Sequence, residues 1–137
     1  MRKERKMRGF TLVELLIVLL ILGILIGLAV PRYLTALEQS RKTTFCSNVR
    51  NVVSAIEIWR MDNATTAYPA NASALNTLII TSTEYFSQAP INPYTDEVLQ
   101  ATSAEPQNKG DFQYEPITDG ILVVSYTAST NPPCDLK

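Results

Sequence analysis

The chain has 137 residues, with 12 Lys+Arg against 13 Asp+Glu and no histidine. That length is enough for one small domain and an appendage, and the missing imidazole excludes His-ligated zinc, Ser–His and Cys–His catalysis and the usual proton shuttle. The near-zero net charge hides three zones. Residues 1–9 hold five bases (Arg2, Lys3, Arg5, Lys6, Arg8) against Glu4, residues 32–61 hold five bases against two acids (net +3), and residues 62–137 hold two lysines against nine acids (net −7). An acidic C-terminal part repels phosphate backbones, so direct nucleic-acid binding is not expected.

The first element is an apolar run, Phe10–Val30, whose only charge is Glu14. As a helix it rises about 31 Å, enough to cross a hydrocarbon core. The basic cluster before it predicts a cytoplasmic N-terminus and an outer side beginning at Pro31. The run is longer than the roughly 7–15 residues of a cleaved secretory signal core, and no A-x-A site follows it, so it is expected to remain in the mature chain. Glu14 is the anomaly. A carboxylate well inside a bilayer costs about 3 kcal/mol on insertion scales, less near an end.

Beyond Pro31, Leu34, Leu37, Phe45, Val49, Val52, Ile56 and Trp59 recur mostly at spacings of three and four, one face of an amphipathic helix reaching about Met61. From Phe10 to Met61 such a helix would be about 78 Å long. A lone apolar stripe facing water is unstable, so a small domain must pack on it. Pro31 removes one helical hydrogen bond and crowds the Gly27 carbonyl. Gly23 and Gly27 share the small-xxx-small spacing that lets helices approach closely in lipid. Gly23–Pro31 is therefore either a tolerated kink or a weak stretch that bends or melts when copies pack together.

Residues 62–137 predict a loop-rich α+β head. A short helix is expected from about Ala72 to Ile79, and "APINPYTDE" is a proline-spaced loop. "FQYEPITDGILVVSYT" predicts a hairpin, Phe112–Thr118 and Ile121–Thr127 about an Asp119-Gly120 turn. Pro116 makes its first strand an edge or a bulged strand. Asp96, Glu97, Asp111 and Asp119 are turn-side acids for which a solvated loop is the ordinary reading. Asn63-Ala-Thr65 and Asn71-Ala-Ser73 fit the glycosylation acceptor pattern, which a Thr/Ser/Asn-rich loop also produces by chance. Cys46 and Cys134 both fall on the outer side, where disulfides persist. A Cys46–Cys134 bond would tie the C-terminal tail to the stem; two buried or free thiols are the alternative.

The stretch "RGFTLVELLIVLLILGIL", with its basic leader, Gly9, Phe10, Glu14 and unbroken apolar run, resembles the N-terminus of type IV prepilins and the pseudopilins of type II secretion and competence systems. Pro31 also falls where such pilins carry a proline. The resemblance implies a leader, residues 1–9, cut between Gly9 and Phe10 by a membrane-embedded prepilin peptidase, with N-methylation of the new Phe10 amine. It implies a transmembrane and assembly helix, 10–31, an amphipathic extension, 32–61, and a head, 62–137, with a small antiparallel sheet on the helix. Glu14 would then pair with the Phe10 amine of a neighbouring subunit and set the register of assembly, although Phe10 and Glu14 also share one helix face within the chain. The implied partners are copies of itself, the peptidase and methyltransferase, an inner-membrane assembly platform, and membrane lipid before assembly. The implied location is a single-pass membrane protein, later an extracellular or periplasmic filament. The leading expectation is a structural subunit of a type IV pilus-like filament, with no enzymatic activity and no cofactor. The alternatives are a pseudopilin of a type II secretion or competence pseudopilus, and a minor tip pilin that acts as a binding module. Major pseudopilins hold calcium with a loop in the head; Asp96 and Glu97 are the weak candidates here, since the motif does not match closely enough to carry ligands over.

Overall fold

The structure, a computed structural model, describes residues 9–104, 106, 109–117, 120–125 and 134. The elements in chain order are helix α1 (Leu12–Asp62), helix α2 (Ala72–Leu75) running into a π-helical turn (Asn76–Ile80), and strands β1 (Ala101–Thr102), β2 (Phe112–Ile117) and β3 (Gly120–Ser125). The fold class is α+β, as expected. The chain divides into two units, Met1–Gln39 and Ser40–Lys137.

In the first unit, residues 12–39 of α1 are helical and every side chain from Gly9 to Ala36 is exposed. From Leu15 to Val30 the stretch is apolar on all sides, so helix formation satisfies its backbone but leaves no polar face for water. Among the described residues, α1 is the single helix long and apolar enough to cross a membrane.

In the second unit, the apolar stripe is buried from Phe45 onward. Phe45, Val49, Val52, Ala55 and Ile56 are buried, and Trp59 packs at the margin. They meet Leu75, Ile79, Ile80, Leu99, Phe112 and Tyr114 in one core. The Tyr114 hydroxyl donates to the Pro69 carbonyl (2.8 Å), so the core's largest polar tip is satisfied. The end of α1 is a complete Schellman turn: Thr65 N–H donates to Arg60 O (3.0 Å) and Ala64 N–H to Met61 O (3.1 Å), with Ala64 at φ 47° where glycine is usual.

Asn71 caps α2, its side-chain oxygen accepting from Ala74 N–H (2.9 Å). The expected Ala72–Ile79 helix is thus split, with one α turn followed by a π turn. Asn76 lies at the join, its side chain donating to Ala101 O and accepting from Ala101 N–H, both at 2.9 Å. A single side chain there holds the edge of β1.

The sheet order is β1-β2-β3. β2 and β3 are antiparallel, with Phe112 opposite Ser125 and Ile117 opposite Gly120. β1 and β2 are parallel, with Ala101 opposite Phe112. The expected all-antiparallel sheet is therefore mixed, because the chain enters β2 at Phe112 beside the start of β1 and runs in the same direction. Gly120 begins β3, so it is a strand residue and not the second residue of the turn; Asp119 lies outside the described residues. Among the described residues β1 pairs with Phe112 and Gln113 alone, which leaves the Pro116 end of β2 with one described partner strand, the edge-like setting a missing N–H requires.

Candidate functional site

The residues singled out at the N-terminus form a continuous exposed segment. Gly9 and Phe10 precede the helix, and Phe10 is 88% exposed. Thr11 and Glu14 then form a reciprocal capping box: Thr11 N–H donates to Glu14 Oε2 (3.1 Å) and Glu14 N–H to Thr11 Oγ1 (3.3 Å). The carboxylate sits at the positive end of the helix dipole, and it and the Thr11 hydroxyl each satisfy one otherwise unpaired N–H group. This partly answers why an acid stands in an apolar run, since within one chain Glu14 starts the helix. The signal was legible as Thr-x-x-Glu in "TLVE". An ionised carboxylate offers about four acceptor sites and the cap engages one, so Glu14 keeps acceptor capacity for a further donor.

Side-chain-sized space at Gly23 and Gly27 is open, with no other group within 4 Å. Pro31 lies inside α1, which is unbroken at that point, and Thr35 Oγ1 donates to the Pro31 carbonyl (3.1 Å). The two glycines and the proline thus lie on an exposed stretch of helix, and no described side chain stands within 4 Å of a Cβ placed at either glycine.

In the second unit, Cys46 and Cys134 are joined in a disulfide, with Cα atoms 5.4 Å apart. Sequence reasoning missed Arg60. Its guanidinium donates to Glu57 (2.7 Å), to the Tyr68 hydroxyl (2.8 Å) and to Thr66 O (3.0 Å), and lies 4.0 Å over the Tyr68 ring. It ties the loop after α1 back to the helix. Among the turn-side acids, Asp96 is exposed at φ 58° and Glu97 is exposed, while Asp111 is buried and Asp119 lies outside the described residues. Among the described residues no three His, Cys, Asp or Glu side chains converge as a metal site. Of the two acceptor triplets, Asn71 uses its side chain to cap α2, and the Asn63 amide donates to Trp59 O (2.9 Å).

Residues 5–30 match the family described as the prokaryotic N-terminal methylation motif. The chain is 29% identical over 136 residues to type II secretion system core protein G of Dickeya chrysanthemi, covering 96% of this chain and 84% of that protein. It is 28% identical over 121 residues to core protein G of Pseudomonas aeruginosa, covering 80% and 82%. It is 35% identical over 79 residues to the type IV wide pilus major component PilA4 of Thermus thermophilus, covering 58% and 59%. No solved structure matches the chain significantly.

Proposed function

We propose that this chain, a member of the type IV pilin and type II secretion pseudopilin family, is a pseudopilin of a type II secretion system. Its coarser role is plain from the family: a structural, non-enzymatic subunit of a pilin-like filament. The finer reading rests on one observation, that its likeness to secretion core protein G runs along nearly the whole chain, whereas its likeness to a pilus component covers little more than half. The leading expectation from sequence, a pilus subunit, gives way to the alternative on that ground. The 35% identity to a wide-pilus component favours the pilus as a second reading.

The physics of the first unit supplies the assembly step. Between Phe10 and Val30 stand sixteen Phe, Leu, Ile or Val residues. At about −0.3 to −0.6 kcal/mol each in a bilayer they contribute roughly −5 to −10 kcal/mol, which outweighs the cost of Glu14, about 3 kcal/mol. The subunit therefore rests in lipid, with its basic leader in the cytoplasm. Cleavage between Gly9 and Phe10 removes the charged leader and frees an amine, which is then methylated and stays protonatable. Leaving lipid exposes far more than the few hundred Å² of apolar patch a soluble surface tolerates, so extraction is possible only into contact with other copies. There the Phe10 amine of one copy meets the spare acceptor capacity of Glu14 in another, a charge-assisted bond strengthened by the dry surroundings. Gly23 and Gly27 let neighbouring helices approach, and Pro31 marks where the helix yields. The peptidase, the methyltransferase and an inner-membrane platform are the partners this sequence of steps requires.

Deleting the chain from its own cells tests the reading. The expected result is failed export of secreted proteins with no loss of long surface fibres. Long fibres built mainly of this chain, with export intact in the deletion strain, would favour the pilus.

A further inference from the structure

We propose that the head of this chain is clasped by the side chain of Asn92 and folds without a bound divalent cation, although the major pseudopilins it resembles hold calcium in the head. Asn92 is 1% exposed and is the centre of the loop that leads to the sheet. Its Oδ1 accepts from Tyr94 N–H (2.9 Å), which fixes the direction of the amide. Its Nδ2 donates to the Lys109 carbonyl (3.1 Å) and faces Asp111 Oδ1 at 3.4 Å. Its backbone N–H donates to Glu97 O (2.7 Å), and its carbonyl accepts from Asp96 N–H (2.9 Å). One residue thus joins the 92–97 turn to residues 109–111, immediately before β2.

The Lys109 carbonyl and the buried Asp111 carboxylate are the oxygens a cation would use. Calcium takes six to eight oxygens at about 2.3–2.6 Å. An amide NH₂ has no lone pair to give, and it directs positive hydrogens at the same oxygens. Ion and clasp therefore exclude each other. The carboxylates of Asp96 and Glu97, the sequence's calcium candidates, are exposed, while the backbone of both residues is engaged by Asn92. Among the described residues the donor set does not fit calcium. Gly110 supports the clasp independently: it has φ 90°, and a Cβ there would run into the Asn92 side chain. The Lys109 ammonium, 4.5 Å over the Tyr94 ring, adds a second tie between the same two segments.

The test is thermal unfolding of the full chain in detergent with its disulfide intact, followed by Trp59 fluorescence, which reports the head core. Wild type is expected to melt at the same temperature in millimolar calcium and in EDTA. Asn92→Ala is expected to melt about 5–15 °C lower, equally in both buffers, with Gly110→Ala also lower. A wild-type midpoint more than about 5 °C higher in calcium than in EDTA would overturn the proposal, and so would Asn92→Ala melting like wild type. If Asn92→Ala does not fold, the wild-type pair of melts still decides the cation question. None of these readouts depends on filament assembly, so the clasp stands or falls separately from the proposed function.

Discussion

Two stretches of α1 are built from the same kinds of apolar residue and meet opposite surroundings. From Leu12 to Ala36 every side chain is exposed, whereas from Phe45 to Ile56 one face is buried against the head. The difference lies in patterning. A helix with polar residues on its remaining faces can satisfy itself inside one chain, while a helix apolar all round must find lipid or other copies. Stability within the chain therefore belongs to the second unit, and the drive to assemble belongs to the first. Substitutions should separate the two.

The sharpest separation is at Glu14. Glu14→Val is expected to abolish filaments while the head melts as wild type, measured by electron microscopy beside thermal unfolding. Glu14→Gln keeps a capping acceptor but loses the charge, and filaments should still fail. Thr11→Ala weakens the cap by about 1 kcal/mol but keeps the charge, and filaments should form. Normal filaments from Glu14→Gln would assign Glu14 to the cap alone.

Next in size is the disulfide, which spans 88 residues of sequence. In the chain-entropy model its loss removes about 4.5 kcal/mol from the head, visible as a lower denaturant midpoint after reduction or in Cys46→Ser. A leucine pair then compares the regions directly. Leu75, fully buried, should cost about 3 kcal/mol of head stability as alanine. Leu19, 66% exposed, should cost the head nothing and weaken only assembly.

Smaller effects lie at the margins of the core. Burial first, and then the neighbouring Tyr68, push the Tyr114 hydroxyl from 10.0 up to about 12. A raised pKa favours the neutral form in the fold, so this stability is intact below pH 10.0 and is lost as pH rises through about 12. Tyr114→Phe should flatten the melting profile in that window, at a cost of about 1 kcal/mol at neutral pH from the lost bond to Pro69 O. Smallest, Ala64→Gly should raise the denaturant midpoint by about 1 kcal/mol in free energy, by relieving a left-handed alanine.

Local signals carried much of this account. The all-round apolar run, the stripe from Phe45, the β2–β3 hairpin and the N-terminal motif each rest on neighbours in sequence, and periodicity or turn chemistry exposes them. Thr-x-x-Glu is equally local, but its place at the head of an apolar run masks it as a capping signal. Asn92, Asn76 and Arg60 were not legible. Asn92 reaches 17 to 19 residues away and Asn76 reaches 25, and a polar residue in a loop looks the same whether it is solvated or clasping. The parallel β1 pairing was hidden for a similar reason, since a two-residue strand has no period.

The claim on which the rest depends is that the apolar segment stays in the mature chain and that processing stops just before it. Mass spectrometry of the N-terminal peptide from protein recovered from its own cells tests this directly. The expected mature chain begins at Phe10 with one methyl group on its amine. A chain that begins beyond Val30, without the apolar segment, would contradict it.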